Sequence, residues 1–242
     1  DQGRRQPGTV MINNTVAWIP PGPPSPNTIR FYYDLDEQQQ PRAMFVPSTP
    51  DTEPGDWFWL MDGIAISETV YLFASRMHSD PEYSFALNGL VLIELPPGSR
   101  PPFEDHIQYD FPFAVPETEE QPPIVFGGGI MPNTEAAGAP NPDGFIYIYG
   151  IRADNNHLNK RVLVARVGET DFANPAMWRF YDGEGWSDEM MDAIVVAGRA
   201  SDELSVTPLQ DGRYVMVFQK DTITRTAVSY THLRAHETKA KL

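Results

Sequence analysis

Two acidic residues, Asp62 and Glu203, stand at matching places in the chain. Each opens an extended stretch, and each precedes a Tyr-led run by a similar interval, nine residues before Tyr71 and eleven before Tyr214. Two carboxyl groups converging on one bond suit acid–base cleavage: one gives a proton to a leaving oxygen, while the other acts as base or nucleophile. Hydrolysis of a glycosidic bond needs such a pair, with different proton affinities imposed by different surroundings. In this reading Glu203 is the general acid, and Asp62 is the base or the group that tunes the acid. Both residues equally suit a plainer part as hydrogen-bonded caps at strand ends, because Asp-Gly, here Asp62-Gly63, is common in turns.

Other residues fit the same chemistry as binding groups. Trp57 and Trp59 flank the run into Asp62, and aromatic faces stack on the C–H surface of sugar rings. Packing between sheets is the commoner fate of such tryptophans. Asn14, inside Asn13-Asn14-Thr15, has an amide that suits a sugar hydroxyl; the triplet also reads as a glycosylation sequon. Asn133 and Glu135 lie in an insertion between two strand-like runs, placed for the rim of a site or for a solvated loop. Asp143 and Asp211 also precede glycine, and for them a hairpin turn is the better reading. His78, His106 and His157 are isolated, and Asp154-Asn155-Asn156 lacks the rest of a calcium loop, so no metal is expected. Nucleophile-elbow, phosphate-loop and dinucleotide fingerprints are missing too, and no cofactor is expected.

The elements that would position these residues repeat. Tyr71–Arg76, Tyr147–Arg152 and Tyr214–Gln219 are aromatic, β-branched runs whose starts lie 76 and 67 residues apart. Leu90–Leu95 follows the first as a second run, and Val162–Val167 follows the next; each pair reads as antiparallel neighbours. An extended stretch precedes each aromatic run: 62–66, 126–131 and 203–208. In the middle unit Gly127 to Gly129 occupy the place of Asp62 and Glu203, where missing side chains would leave room for a ligand. Met177–Tyr181 reads as a further strand, and Thr15–Ile19 with Ile29–Tyr33 as outer strands around a Pro-rich turn. The segment from Pro96 to Pro123 reads as an ordered connection. A repeated antiparallel unit of about 70 residues predicts an all-β fold of propeller type, with a β-sandwich as the alternative.

Composition narrows the partners. With 33 acidic and 18 basic residues, the chain carries a formal charge of −15, which argues against nucleic acid or an anionic membrane surface. No cysteine is present, which removes disulfides and thiol chemistry. No apolar run approaches the roughly 20 residues of a membrane span. The chain opens on Asp1 rather than Met, so no export signal is expected to be visible. From about residue 228 the composition shifts, with Arg234, Lys239 and Lys241 against the single acid Glu237. This stretch resembles translated sequencing-adaptor read-through. The expected domains are therefore 1–227, a partial propeller, and 228–242, a non-native tail whose His232 and His236 are set aside as metal ligands.

Several stretches together resemble a family of secreted bacterial five-bladed propellers catalogued as a domain of unknown function. They are Met11–Ala17, Trp57–Gly63, Gly129–Gly144, Tyr147–Gly150, Val164–Val167, Trp178–Gly183 and Glu203–Pro208. Such families look like distant relatives of arabinanase-type glycosidases. The resemblance implies an incomplete five-bladed β-propeller, lacking the inner strand of its first blade and everything after the start of the fourth. It further implies a secreted, cell-surface or periplasmic protein with a polysaccharide or oligosaccharide as partner, and a monomer is expected. A ring with open edges cannot close its channel, so the fragment by itself is expected to be inactive. A non-catalytic carbohydrate-binding propeller and a surface scaffold are the competing functions.

Overall fold

The computed structural model describes residue 9 and residues 11–233, apart from 24, 83, 155–158, 223 and 225. The fold is all-β, its sheets paired antiparallel throughout, with only three single-turn 3-10 segments among the described residues. Among the described residues no helix is long and apolar enough to cross a membrane.

Two short hairpins come first. β1 (Val16–Trp18) pairs with β2 (Arg30–Tyr32), and β3 (Asp34–Leu35) pairs with β4 (Pro41–Arg42). A four-stranded meander follows: β5 (Trp57–Ile66), β6 (Thr69–His78), β7 (Ala86–Leu95) and β8 (Ile107–Phe111). The middle sheet runs β9 (Ala114–Val115), β10 (Ile124–Asn133), β11 (Phe145–Arg152), β12 (Lys160–Gly168), β13 (Arg179–Tyr181) and β14 (Trp186–Ser187), with β15 (Ala197–Ala200) pairing beside β12. The last sheet is β16 (Leu204–Pro208), β17 (Tyr214–Gln219) and β18 (Ala227–Leu233).

Each aromatic run expected as a strand forms one, because Val, Ile, Tyr and Phe suit a pleated surface buried on both faces. Two local expectations change. The connection from Pro96 to Pro123 contains β8 and β9, because the alternation Ile107-Gln-Tyr-Asp-Phe111 adds a fourth strand beside β7. Met177 and Trp178 precede their strand, since Pro175–Met177 forms a 3-10 turn capped by the Asn174 side chain.

The three sheets pack face to face in sequence order. One core lies between the first and the middle sheet, with Phe73, Leu92 and Phe111 against Phe126, Ile148, Trp178 and Phe180. A second lies between the middle and the last, with Tyr149 and Val162 against Leu204, Met216 and Phe218. A third joins the first sheet to the N-terminal hairpins through Phe45, Phe58, Val91 and Ile93. Burying each large side chain contributes about 1.5–3 kcal/mol, so these interfaces dominate the stability. One strand of each sheet neighbours the next at the inner side, β10 lying against β5 on one side and β16 on the other. That adjacency brings distant acids together.

Candidate functional site

Two inner strands break their pairing at equivalent places, and the third begins its pairing at the matching one. In β5 the register shifts between Leu60 and Gly63, so Asp62 immediately precedes the residue where pairing with β6 resumes. In β10 the shift falls between Phe126 and Gly129, leaving Gly128 in the same position. Glu203 directly precedes Leu204, the first paired residue of β16. Bulges of this kind re-aim side chains out of the ladder. The expectation that Asp62 begins its strand is corrected, since β5 starts at Trp57 and Asp62 sits at its bulge.

These positions surround a cavity of about 700 Å³. Trp59 to Asp62 of β5, Ser75 and Met77 of β6, and Phe85 to Leu87 form one wall. Val125 and Gly128 of β10, Ile151, Ala153, Lys160 and Glu117 form a second, and Asp202 to Ser205 close the third. Asp62 is half-buried, and both its oxygens accept backbone hydrogen bonds: Oδ1 from its neighbour Gly63 N–H at 2.8 Å, and Oδ2 from Ile130 N–H across on β10 at 2.7 Å. The carboxylate thus fixes one inner strand to the next, and each oxygen keeps a second lone pair. Glu203 is exposed, and no hydrogen bond holds its carboxylate among the described residues.

The backbone carrying Glu203 is held tightly. Ser201 Oγ donates to the Glu203 carbonyl at 2.7 Å and accepts from Gln219 N–H at 3.2 Å. Lys160 Nζ reaches from β12 to both Asp202 oxygens, at 2.7 and 3.0 Å. A Cβ on Gly128 would lie 2.6 Å from the Asp202 carbonyl oxygen, and one on Gly129 would lie 2.7 Å from Leu204. At Gly127, whose φ is +105°, a Cβ would lie 2.7 Å from the Phe73 side chain. The expectation that this glycine run leaves room for a ligand is therefore corrected. Neighbouring protein fills most of the space, and the glycines let three strands approach.

Of the other expected residues, Trp59 lines the cavity and meets the Phe85 ring edge to face, centroids 4.5 Å apart. Trp57, opposite Met77, lies outside the cavity wall. Asn14 is buried: its Nδ2 donates to the Phe45 and Phe58 carbonyls and its Oδ1 accepts from Phe45 N–H, so its amide closes the N-terminal core. Asn133 is buried at the far end of β10, donating to the Asn141 carbonyl and Tyr214 Oη, while its Oδ1 meets no hydrogen-bond partner among the described residues. Glu135 is exposed in the following turn, away from the cavity. Three of the seven residues are thus brought together, and the other four are not.

Asp143 and Asp211 serve their turns as expected, accepting from Phe145 N–H and Arg213 N–H respectively. Asp143 also accepts from Tyr147 Oη at 2.6 Å. Burial first, and then this carboxylate, push the Tyr147 phenol well above its ordinary range. His106 Nδ1 meets the Phe103 carbonyl, and among the described residues no group of three or more His, Asp or Glu is placed to hold a metal. His157 and the Asn155-Asn156 pair lie outside the described residues, as do His236 and the side chain of His232.

Glu117, Lys160, Asp202 and Phe85 are cavity residues that sequence reasoning missed. Asp202 is adjacent to Glu203 and was the one legible signal. Lys160 and Glu117 come from elements whose proximity depends on packing between sheets.

Residues 2–232 match the family described as a domain of unknown function (DUF5005), and the chain belongs to that family. No curated protein sequence matches it. Its fold is similar to that of a "putative hydrolase" from Bacteroides ovatus, at 15% identity and a TM-score of 0.60 over 90% of this chain. The chain spans 56% of that protein's length. An exo-1,5-α-L-arabinanase from a bovine ruminal metagenomic library aligns at 14% identity and a TM-score of 0.31, over 84% of this chain and 88% of the other.

Proposed function

We propose that this DUF5005 chain is part of a glycoside hydrolase-like enzyme that acts on an extracellular polysaccharide. The observation that carries the reading is that Asp62 and Glu203, from different sheets, line one cavity together with an exposed tryptophan. Glu203 gives its proton to the glycosidic oxygen as the bond to the anomeric carbon breaks. Asp62 takes a proton from the attacking water, or attacks the anomeric carbon itself; the separation of the carboxyl groups on bound substrate decides which. The hydrogen bonds from Gly63 and Ile130 hold Asp62 in place for either role. Consecutive sheets with adjacent inner strands are what successive propeller blades require, and in this reading the ring has five blades and belongs to an exported monomer. The hydrolase description of the Bacteroides ovatus protein agrees with this reading.

The test is release of reducing sugar from a polysaccharide panel by the protein at its natural length. Glu203→Gln and Asp62→Asn are each expected to lower kcat by at least about a hundredfold. Unchanged turnover in both variants would remove the assignment. A second reading, a non-catalytic carbohydrate-binding propeller, draws support from the engagement of both Asp62 oxygens by backbone amides. Saturable glycan binding without product would favour it.

A further inference from the structure

One wall of the cavity has a feature that acid–base chemistry leaves unused. Phe85 lies just before β7 and is 44% exposed, and Trp59 beside it is 38% exposed. Their rings brace each other edge to face at 4.5 Å, and Met77 and Leu87 continue the apolar surface. An aromatic pair held open to solvent at a cavity mouth leaves apolar area uncovered, which marks surface that a ligand covers. The facing walls are of opposite character. Among the described residues they carry the carboxyl groups of Asp202 and Glu203, with Asp62 at the edge of the aromatic wall, and the Lys160 ammonium already spans both oxygens of Asp202.

On the carbohydrate reading above, we infer that this cleft selects uncharged glycan segments and excludes uronate-containing ones, with Phe85 as a specificity-determining platform. A neutral sugar ring has the matching two-sided character. Its C–H face packs on Phe85 and Trp59, and its hydroxyls donate to the carboxyl oxygens. A uronate brings a further negative charge beside the Asp62 carboxylate, where the Lys160 ammonium is already engaged by Asp202, and it meets repulsion that salt weakens.

The experiment is titration of the protein at its natural length, followed calorimetrically, with neutral arabino-, xylo- and cello-oligosaccharides and with oligogalacturonides of equal length. At low ionic strength at least one neutral series is expected to bind about tenfold or more tighter than the uronides, and the gap to narrow as salt is raised. Phe85→Ala should weaken neutral binding by about tenfold, while Phe85→Tyr retains it. Because Phe85 is substantially exposed, the melting temperature of both variants should stay near that of the parent. Uronides binding as tightly as neutral sugars, or Phe85→Ala binding like the parent, would overturn this inference and leave the carbohydrate reading standing. Binding of no glycan at all would overturn both.

Discussion

Tyr147 shows how a single buried side chain sets a pH dependence. Its hydroxyl is packed away from water and donates to Asp143, so the folded protein keeps the proton beyond the ordinary phenol value of 10.0. Burial likewise raises Tyr149. The folded value is raised, so the stabilisation is complete below about pH 10 and is lost above it, where the unfolded chain ionises first. Each such phenol contributes a loss of up to about 1.4 kcal/mol per pH unit in that window. Stability of the parent to urea should therefore fall progressively as the pH rises above about 10. Tyr147→Phe should show a shallower decline, and equal slopes would remove Tyr147 from the account. Asn14 carries a different lesson. Its neighbours in sequence suggested a sugar-binding amide, whereas its three hydrogen bonds to Phe45 and Phe58 backbone show a buried polar group satisfied by its surroundings.

At the level of elements, β10 decides the site. Its glycine run is the surface on which the two acid-bearing strands close, since a Cβ on Gly128 would collide with the Asp202 carbonyl and one on Gly129 with Leu204. A methyl group at Gly128 meets backbone rather than the flexible end of a side chain, so β10 or the 201–203 segment must move. Gly128→Ala should cost about 1–3 kcal/mol of stability, the usual penalty of overpacking. It should also lower kcat more than it raises KM, because Glu203 is displaced relative to Asp62. Chemical denaturation with steady-state kinetics checks both, and an unaltered midpoint would show that the contact relaxes freely. The strand assignments themselves were legible, because runs such as Tyr147-Ile-Tyr-Gly-Ile-Arg152 alternate little and are buried on both faces. β8 was not, because its apolar residues alternate with Gln108 and Asp110 inside a proline-rich stretch. Asp110 in fact turns inward to pair with buried Arg76 at 2.5 Å.

Across the whole molecule, the Lys160–Asp202 pair ties the middle sheet to the segment leading into the last one. The lysine side chain is 16% exposed and the aspartate 44%, so the pair is partly screened and its coupling should be about 1 kcal/mol. A double-mutant cycle with Lys160→Met and Asp202→Asn, measured by chemical denaturation, is expected to return that coupling. Additive effects would mean that the two charges act independently. Lys160→Met alone should lose more stability than the double variant loses relative to Asp202→Asn, because it leaves Asp202 unpaired among the cavity carboxylates.

By itself the sequence determined the all-β class, the repeated Tyr-led strands and the correspondence of Asp62, the Gly127–Gly129 run and Glu203, because burial and turn chemistry write a period into neighbouring residues. It also pointed to Trp59 as a group beside that site. Which residues share the cavity was decided only by tertiary structure. Lys160, Glu117, Phe85 and Asp202 lie on four separate segments, and no local pattern records that their sheets stack side by side. Nor could spacing tell the free carboxylate of Glu203 from that of Asp62, held by Ile130 on another strand. Hydrogen-bond partners far apart in sequence are chosen by packing between sheets, and that packing belongs to the folded chain as a whole.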